Sequence, residues 1–279
     1  MSFQTQNQEQ KPSTQQLVSA AAEQLLDALR QGRSQEMTDY LRIMGRFHRY
    51  SWGNQLLIAQ QRPTASHVCG FGTWLSFGRH VRKGEKGIRI LAPIVGKKKV
   101  DDALPENEPS EAQIYGFKVT HVFDLAQTDG EDFPSAPGVR GDAGEHLNRL
   151  LAFIQEQGIA VEFSAQIAPA LGLSCGGKIV LAPGYPDAET LATLVHEFAH
   201  ESMHKSDRRT TTTKTVRETE AEAVSFAVCS GLGLDCGSSS SDYIGFYDGN
   251  ADTLIASLEI VHKTACQILD ALTPANRPE

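Results

Sequence analysis

The stretch LATLVHEFAHESMHKS, residues 191–206, places three histidines four residues apart, at His196, His200 and His204. Such spacing puts side chains on one face of an α-helix. The apolar residues Leu194, Val195, Phe198 and Ala199 surround the first two histidines, so we expect a buried helix over 188–205. Glu197 directly follows the first histidine. The pattern therefore predicts a helix that carries a row of imidazoles beside one carboxylate.

The spacing HExxH is typical of zinc sites, because two imidazoles one helical turn apart can reach the same ion. The alternative is a helix that carries two histidines by coincidence. We predict His196 and His200 as zinc ligands and Glu197 as the general base. Zinc would polarise a carbonyl and activate a water, and Glu197 would pass the proton of the water to the leaving amine. The predicted reaction is hydrolysis of a peptide bond.

A catalytic zinc site needs a third protein ligand. The next helix, RETEAEAVSFAVC, carries Glu218 and Glu222 four residues apart, so one can bind the metal while the other supports a ligand histidine. This resembles the glutamate zincins, and the resemblance implies Glu218 as the ligand and Glu222 as the support. Glu220 projects to another side and is predicted to be ordinary. His204 is the rival ligand, but it lies about 12 Å from His196 along the helix axis.

Other parts of the predicted pocket are less determined. The segment GKIVLAP, residues 177–183, is either an edge strand that pairs with an extended peptide or an ordinary core strand. Tyr185, Tyr243 and Tyr247 are candidates for stabilising the oxyanion.

Charge is unevenly distributed along the chain, whose net charge is −8. Residues 40–99 contain 12 Lys or Arg and one acidic residue, a local charge of +11. Residues 136–279 contain 10 basic and 19 acidic residues, a local charge of −9. This asymmetry predicts that the first half contacts a polyanion and that the second half has another role.

Single-stranded nucleic acid is bound by cations that contact phosphates and by aromatic faces that stack on bases. Both tryptophans of the chain lie among the cations of the basic segment. We predict these DNA-binding residues: Arg46, Arg49, Trp52, Arg62, Trp74, Arg79, Arg82, Lys83, Lys86 and Arg89. The alternative for Trp52 and Trp74 is a place in the core.

Hydrophobic periodicity and turn residues predict an α+β fold with two domains. Residues 1–14 are expected to be a disordered tail, with Ser13 or Thr14 capping the first helix, and Ser34 capping the second. Residues 15–130 form an N-terminal domain of helices (14–32, 35–48, 52–62) and two pairing strands (88–97, 112–125). Residues 131–141 are the linker. Residues 142–279 form a C-terminal domain with helices at 143–158, 188–205, 216–232 and 251–272 and strands at 159–164 and 177–183.

The chain resembles the ArdC family of antirestriction proteins. The N-terminal likeness runs through GNQLLIAQQRPTASHVCGFGTWLSFGRHVRKGEKGIRILAP, and the C-terminal likeness includes LVHEFAHESMH, RETEAEAVSFAVC and SDYIGFY. The resemblance implies an N-terminal single-stranded-DNA-binding domain and a C-terminal metallopeptidase-like domain, similar to the ImmA/IrrE peptidases that cleave repressors. After Tyr247 the chain has DGNAD, where the family pattern predicts a tryptophan.

The expected protein is therefore an antirestriction-type binder of single-stranded DNA with a zinc metallopeptidase site that acts on an unknown peptide. One alternative is a non-enzymatic DNA shield with a structural metal, and another is a repressor-cleaving protease. The five cysteines contain no CxxC pair, which favours a cytoplasmic protein without disulfides. No apolar run is long enough for a membrane span.

Overall fold

The structure is a computed structural model and describes residues 13–97, 112–133, 143–234 and 251–273, without the side chains of residues 97, 112, 206 and 207. The α-helices in these residues are α1 (Thr14–Arg30), α2 (Gln35–Arg46), α3 (Trp52–Gln61), α4 (Phe71–Ser76), α5 (Ala143–Glu156), α6 (Asp187–Met203), α7 (Ser206–Thr211), α8 (Lys214–Gly231) and α9 (Ala251–Leu272). The strands are β1 (Val68–Gly70), β2 (Arg79–Val81), β3 (Ile88–Lys97), β4 (Ala112–Asp124), β5 (Thr128–Gly130), β6 (Ala160–Phe163), β7 (Gly172–Ser174) and β8 (Lys178–Leu181).

Of the two predicted helix caps, one forms a side-chain capping bond. The Ser13 hydroxyl accepts a hydrogen bond from the Gln16 amide, and the Gln16 side chain accepts from the Ser13 amide, which completes a capping box. Ser34 precedes α2 as predicted, but its side chain makes no capping bond. Thr14 belongs to α1, so the predicted tail was too long at its end, and residues 1–12 lie outside the described residues.

The predicted strand pair is confirmed. Strands β3 and β4 run antiparallel from Ile88 opposite Val122 to Lys97 opposite Ala112, with a bulge at Ile94 and Val95. Strand β1 pairs with the other edge of β4, which gives the order β1-β4-β3, and β2 pairs with β5. The free edge of β3 is covered near its start by two side-chain amides. Asn54 bonds both backbone groups of Leu91, and Gln61 bonds both of Arg89.

The second half has a small mixed sheet of order β6-β8-β7. Strand β8 is parallel to β6 and antiparallel to β7, so it is central. The edge-strand prediction for 177–183 is therefore wrong, and the core-strand alternative is right. The edge strands are β6 and β7, and the sequence analysis did not predict β7. The connection between the predicted helices 188–205 and 216–232 is expected from its polar residues to be a loop, at 206–214, but the structure has the short helix α7 there.

Helices α2 and α8 cross in close contact at two glycines. A Cβ on Gly45 would lie 2.2 Å from the Ala227 carbonyl oxygen, and a Cβ on Gly231 would lie 2.8 Å from the Gly45 carbonyl oxygen. Buried apolar residues of α1–α3 and of α5, α6, α8 and α9 belong to one contiguous cluster. The first and second halves of the chain therefore share a core, and the predicted domain boundary stays a prediction.

The start of the predicted linker is packed rather than loose. The Phe133 ring lies 5.2 Å from the Trp74 ring and 5.5 Å from the Phe77 ring, centroid to centroid. Residues 134–142 lie outside the described residues. Within the described ranges, no helix is both long and apolar enough to cross a membrane.

Candidate metal centre and nucleic-acid interface

The predicted ligands come together where α6 packs against α8. The Nε2 atoms of His196 and His200 are 3.1 Å apart. Glu218 Oε2 lies 3.5 Å from His196 Nε2 and 3.4 Å from His200 Nε2. In the described part of the chain, these residues form the one group of His, Cys, Asp and Glu side chains that could hold a metal ion. The structure thus brings together the three residues that the sequence analysis singled out.

The triangle of ligand atoms fits a tetrahedral metal. Bonds of 2.0–2.1 Å in that geometry place ligand atoms about 3.3 Å apart, and the observed separations of 3.1, 3.4 and 3.5 Å lie on both sides of this value. Half of the Glu218 side-chain surface, 50%, is exposed to solvent. The donor set therefore suits a divalent ion, with an open side for a water and a substrate.

The local electrostatics favour the neutral form of the His200 imidazole. Burial, followed by the charge of His196, lowers the pKa of His200 to about 4. Burial also lowers the pKa of His196, but the hydrogen bond and charge of Glu222, with Glu197 and Glu218, raise it by more. Glu222 Oε2 lies 3.6 Å from His196 Nδ1, on the ring side opposite Glu218. Glu222 is thus in the supporting position that the sequence analysis predicted.

Glu197 lies next to the metal triangle and against strand β7. Burial raises its pKa, and the charge of His196 opposes this shift. A Cβ on Gly172 would lie 2.7 Å from Glu197 Cγ and 2.8 Å from its Oε1. A glycine at this position lets the strand pass close to the carboxylate. The arrangement suits a proton acceptor beside the open side of the site.

His204 does not join the triangle. Helix α6 ends at Met203, and His204 caps it with its ring turned to the interior. Its Nδ1 lies 2.9 Å from His200 Nδ1, and its Nε2 lies 2.9 Å from Glu220 Oε2. Glu220, predicted to be ordinary, is completely buried. That prediction is wrong, because α8 is covered by other helices on the side away from the metal triangle.

The sequence analysis did not predict the hydrogen bonds of two buried carboxylates, Glu220 and Glu201. Glu220 also accepts hydrogen bonds from the Ser257 hydroxyl, at 2.7 Å, and from the Arg208 guanidinium. Glu201 on α6 accepts from the Ser174 hydroxyl and from the amides of Gly176 and Gly177, and so fixes the β7–β8 turn. Acids surrounded by Ala, Val and Phe in the sequence are the signal that could have indicated burial.

The tyrosine predictions find little support. Tyr185 is 44% exposed and precedes α6, where its carbonyl oxygen accepts a bond from the Thr190 hydroxyl. Tyr243 and Tyr247 lie outside the described residues. The role of an oxyanion partner thus stays a prediction for all three.

Several cations of the basic segment stabilise the fold. Arg46 bonds the Ala65 carbonyl oxygen, and Arg62 pairs with Asp124, which is only 1% exposed. Arg79 bonds Thr128 and the carbonyl oxygens of Gly130 and Glu131. Trp74 is fully buried and donates its indole N–H to the Phe123 carbonyl oxygen at 2.8 Å. Its faces cannot stack on a base, so its core alternative is right.

Arg82 is intermediate between the cations that stabilise the fold and those that are exposed and unpaired within the described residues. It is exposed, but it pairs with Glu85 at 2.9 Å and also bonds the Ala126 carbonyl oxygen. In contrast, Lys83, Lys86 and Arg89 are exposed and have no ion pair with any residue that the structure describes. These three side chains remain available to a phosphate backbone.

A cavity of about 560 Å³ lies beside the start of α3. Its lining is mostly apolar and includes Trp52, Tyr50 and Phe117, with Arg49 among the polar groups. Trp52 is half-buried, and Phe117 is 54% exposed. The outer part of the β3–β4 hairpin carries further exposed apolar side chains, Ile94, Val95, Ile114 and Tyr115. The first half therefore has both exposed cations and accessible aromatic faces.

Comparison with known proteins gives one family-model match and two similar solved structures. Residues 8–123 match the family model of the N-terminal domain of anti-restriction factor ArdC. The whole chain superposes on the metal-free crystal structure of the antirestriction ArdC protein from plasmid R388 with a TM-score of 0.56 and 18% identity, over 92% of this chain and 97% of that one. The Mn(II)-bound structure of the same protein gives a TM-score of 0.55 and 20% identity, over 93% and 98%.

The chain thus has a fold of mixed helices and strands that is similar, in both halves, to the fold of the R388 ArdC protein. Residues 8–123 in particular match the ArdC N-terminal domain. The resemblance predicted from the sequence is confirmed. An uncharacterized protein of Bacillus anthracis, pXO2-81, is 26% identical over 85% of this chain. The chain spans about half the length of that relative, 48%.

Proposed function

We propose that this chain is an antirestriction-type protein that binds single-stranded DNA and carries a zinc-dependent metallopeptidase site. The ArdC-type N-terminal domain supports the antirestriction role. One observation carries the enzymatic half. Three ligand atoms approach within 3.1–3.5 Å of one another beside a further carboxylate, Glu197, which lies against the edge strand β7 and is not part of the triangle. A purely structural metal site needs no such base.

His196, His200 and Glu218 would hold the ion, and the Mn(II)-bound state of the R388 protein supports a divalent metal. When bound, the metal supplies Lewis-acid activation of a carbonyl and of a water. Glu197 would accept the proton of the attacking water and donate it to the leaving amine. Its raised pKa favours this acceptor role at neutral pH. An extended peptide would pair with β7, the sheet edge next to Glu197.

Metal analysis of the purified full chain tests the site. We expect about one ion per chain and an open coordination position. Glu218→Ala should lose the ion, and Glu222→Ala should bind it about 10–100-fold more weakly through loss of ligand support. Glu197→Gln should keep it. Full metal content in Glu218→Ala would overturn the ligand assignment.

Activity is tested with an unfolded protein such as casein as the probe. Wild type should cleave it, and Glu197→Gln, which keeps the metal, should not. Equal proteolysis by the two proteins would remove Glu197 as the base. Absence of cleavage by a metal-loaded wild type would favour the non-enzymatic DNA shield, or a protease restricted to one repressor-like partner.

The DNA half of the proposal rests on the exposed cations and on the aromatic cavity. The cations of the basic turn, which we define as residues 82–89, would contact phosphates, and Trp52 or Phe117 would offer faces for bases. Duplex should bind less well than a single strand, because its bases are stacked away from such faces. Binding should have little sequence preference.

Salt titration of a fluorescent oligothymidylate with the full chain tests the contact surface. Each phosphate contact contributes about −0.7 to the slope of log affinity against log salt. Reversal of Lys83, Lys86 and Arg89 to Glu should therefore weaken binding and reduce the slope by roughly 2. Unchanged affinity would show that the basic turn is only a solvated surface.

A matched triple reversal controls for the change in net charge. Arg209, Lys214 and Lys263 are exposed and lie in the second half of the chain. Their reversal to Glu adds the same negative charge and should leave the salt slope unchanged. Phe117→Ala should cost about 1–3 kcal/mol of binding while Phe117→Tyr should not, since one stacked base contributes that amount.

A further inference from the structure

His204 links a predicted metal ligand to a buried carboxylate. Its Nδ1 faces His200 Nδ1 at 2.9 Å, and its Nε2 faces Glu220 Oε2 at 2.9 Å. His204 is 3% exposed and Glu220 is 0% exposed. The two contacts use both ring nitrogens of His204 and form a chain from Glu220 to His200. Water has no access to the middle of this chain.

The donors and acceptors in this chain follow from Glu220. Its carboxylate receives hydrogen bonds from the Ser257 hydroxyl and from the Arg208 guanidinium, so it is an acceptor for His204 as well. His204 must then carry its hydrogen on Nε2, and its bare Nδ1 accepts from His200 Nδ1–H. A neutral His200 with its hydrogen on Nδ1 has a free lone pair on Nε2.

That lone pair lies on the metal side. His200 Nε2 is 3.1 Å from His196 Nε2 and 3.4 Å from Glu218 Oε2. In the opposite arrangement, His204 would donate to His200, and the hydrogen of a neutral His200 would occupy Nε2. The nitrogen that faces Glu218 would then be blocked. The direction of the two buried hydrogen bonds therefore decides whether His200 can bind an ion.

We propose that His204 and Glu220 are positioning residues that fix the tautomer and ring orientation of His200 for metal binding. The inference rests on the metal site proposed above, in which Glu222 has the corresponding contact with His196. Each ligand histidine then has its own partner. Glu222 contacts His196 at the rim of the site, and His204 contacts His200 inside the core. Glu220, which accepts the hydrogen bond of His204, also accepts hydrogen bonds from Arg208 of α7 and from Ser257 of α9.

The test uses two substitutions of His204 in the full chain. His204→Gln keeps an acceptor for His200 and a donor for Glu220, whereas His204→Leu removes both. Metal affinity is measured by competition with a chromophoric chelator. We expect His204→Leu to bind about 10–100-fold more weakly than wild type, and His204→Gln to recover most of the difference. Wild-type affinity in a folded His204→Leu protein would overturn the proposal.

A second measurement needs no variant and no metal. Long-range ¹H–¹⁵N spectra of the metal-free wild type report which nitrogen of His200 is protonated. We expect Nδ1, and a hydrogen on Nε2 would overturn the proposal. If wild type binds no metal, the site proposal fails while the tautomer result still stands by itself. Glu218→Ala should lose the ion and leave the His200 tautomer unchanged.

Discussion

At the scale of single residues, the candidate active site is defined by a close approach between a strand and a helix. Gly172 on β7 faces Glu197 and Thr193 on α6, and a Cβ at Gly172 would lie 2.7–2.8 Å from atoms of both. Contacts this short cannot be relieved by a change of rotamer in a packed side chain without a cost in free energy. Gly172 thus determines where the Glu197 carboxylate can lie.

We expect Gly172→Ala to lower the free energy of unfolding by about 1–3 kcal/mol, because the added methyl overpacks this contact. The displaced Glu197 should also reduce casein cleavage while metal content stays at the wild-type value. Chemical denaturation and elemental analysis measure the two effects. Gly72→Ala is the control, since a Cβ there meets nothing within 4 Å. Equal stability of the two variants would contradict the argument.

Residue spacing predicted the metal triangle but not its surroundings. The four-residue separation of Glu218 and Glu222 identified two acids on one face of α8, and the structure places both beside His196. Spacing carries no information on what covers the opposite face. Glu220 is buried there by Ser257 of α9 and Arg208 of α7, which are distant in sequence or fall in a predicted loop.

At the scale of elements, α8 joins the two halves of the chain. Its first turns carry Glu218 and Glu222, and its last turns cross α2 at Gly231. The long helices and the β3–β4 hairpin were predictable, because each has a clear hydrophobic period. Strand β7 was not, since three residues, Gly-Leu-Ser, show no period at all. It forms only because β8 supplies a pairing edge.

Gly45→Ala tests the crossing of α2 and α8. The new methyl would meet backbone atoms, the Ala227 carbonyl oxygen and the Gly231 nitrogen, which cannot rotate away. We expect a loss of about 3 kcal/mol or more in unfolding free energy. Thermal and urea denaturation measure it. Ser19→Ala on the exposed side of α1 should change stability by less than about 0.5 kcal/mol. A stable Gly45→Ala protein would show that the helices can separate at low cost.

At the scale of the whole molecule, α9 contacts the segment between α2 and α3. His262 Nε2 lies 3.1 Å from the Tyr50 carbonyl oxygen, and the Cys266 thiol donates to the His48 carbonyl oxygen. Burial lowers the pKa of His262 below its ordinary 6.5, partly opposed by the Tyr50 carbonyl and reinforced by His48. Burial also raises the pKa of the Cys266 thiol to about 12. Both groups are therefore neutral at neutral pH.

The lowered pKa of His262 predicts a dependence of stability on pH. Below about pH 6.5 the unfolded chain binds a proton at this residue that the folded chain does not, so stability falls as the pH falls toward the folded pKa. His262→Gln removes this group and should show a smaller loss between pH 7.5 and 5.5. Urea unfolding at the two pH values measures the difference. An identical loss in the two proteins would mean that other groups account for the acid sensitivity.

The shared core has a consequence for synthesis on the ribosome. The helices α1–α3 emerge early, but α2 can pack against α8 and α9 only after both have been translated. Contacts between segments so distant in sequence slow folding, because a long loop must close before they form. During that interval the apolar side of α2 is exposed to other chains. The nascent protein should thus depend on chaperones until α8 has left the exit tunnel.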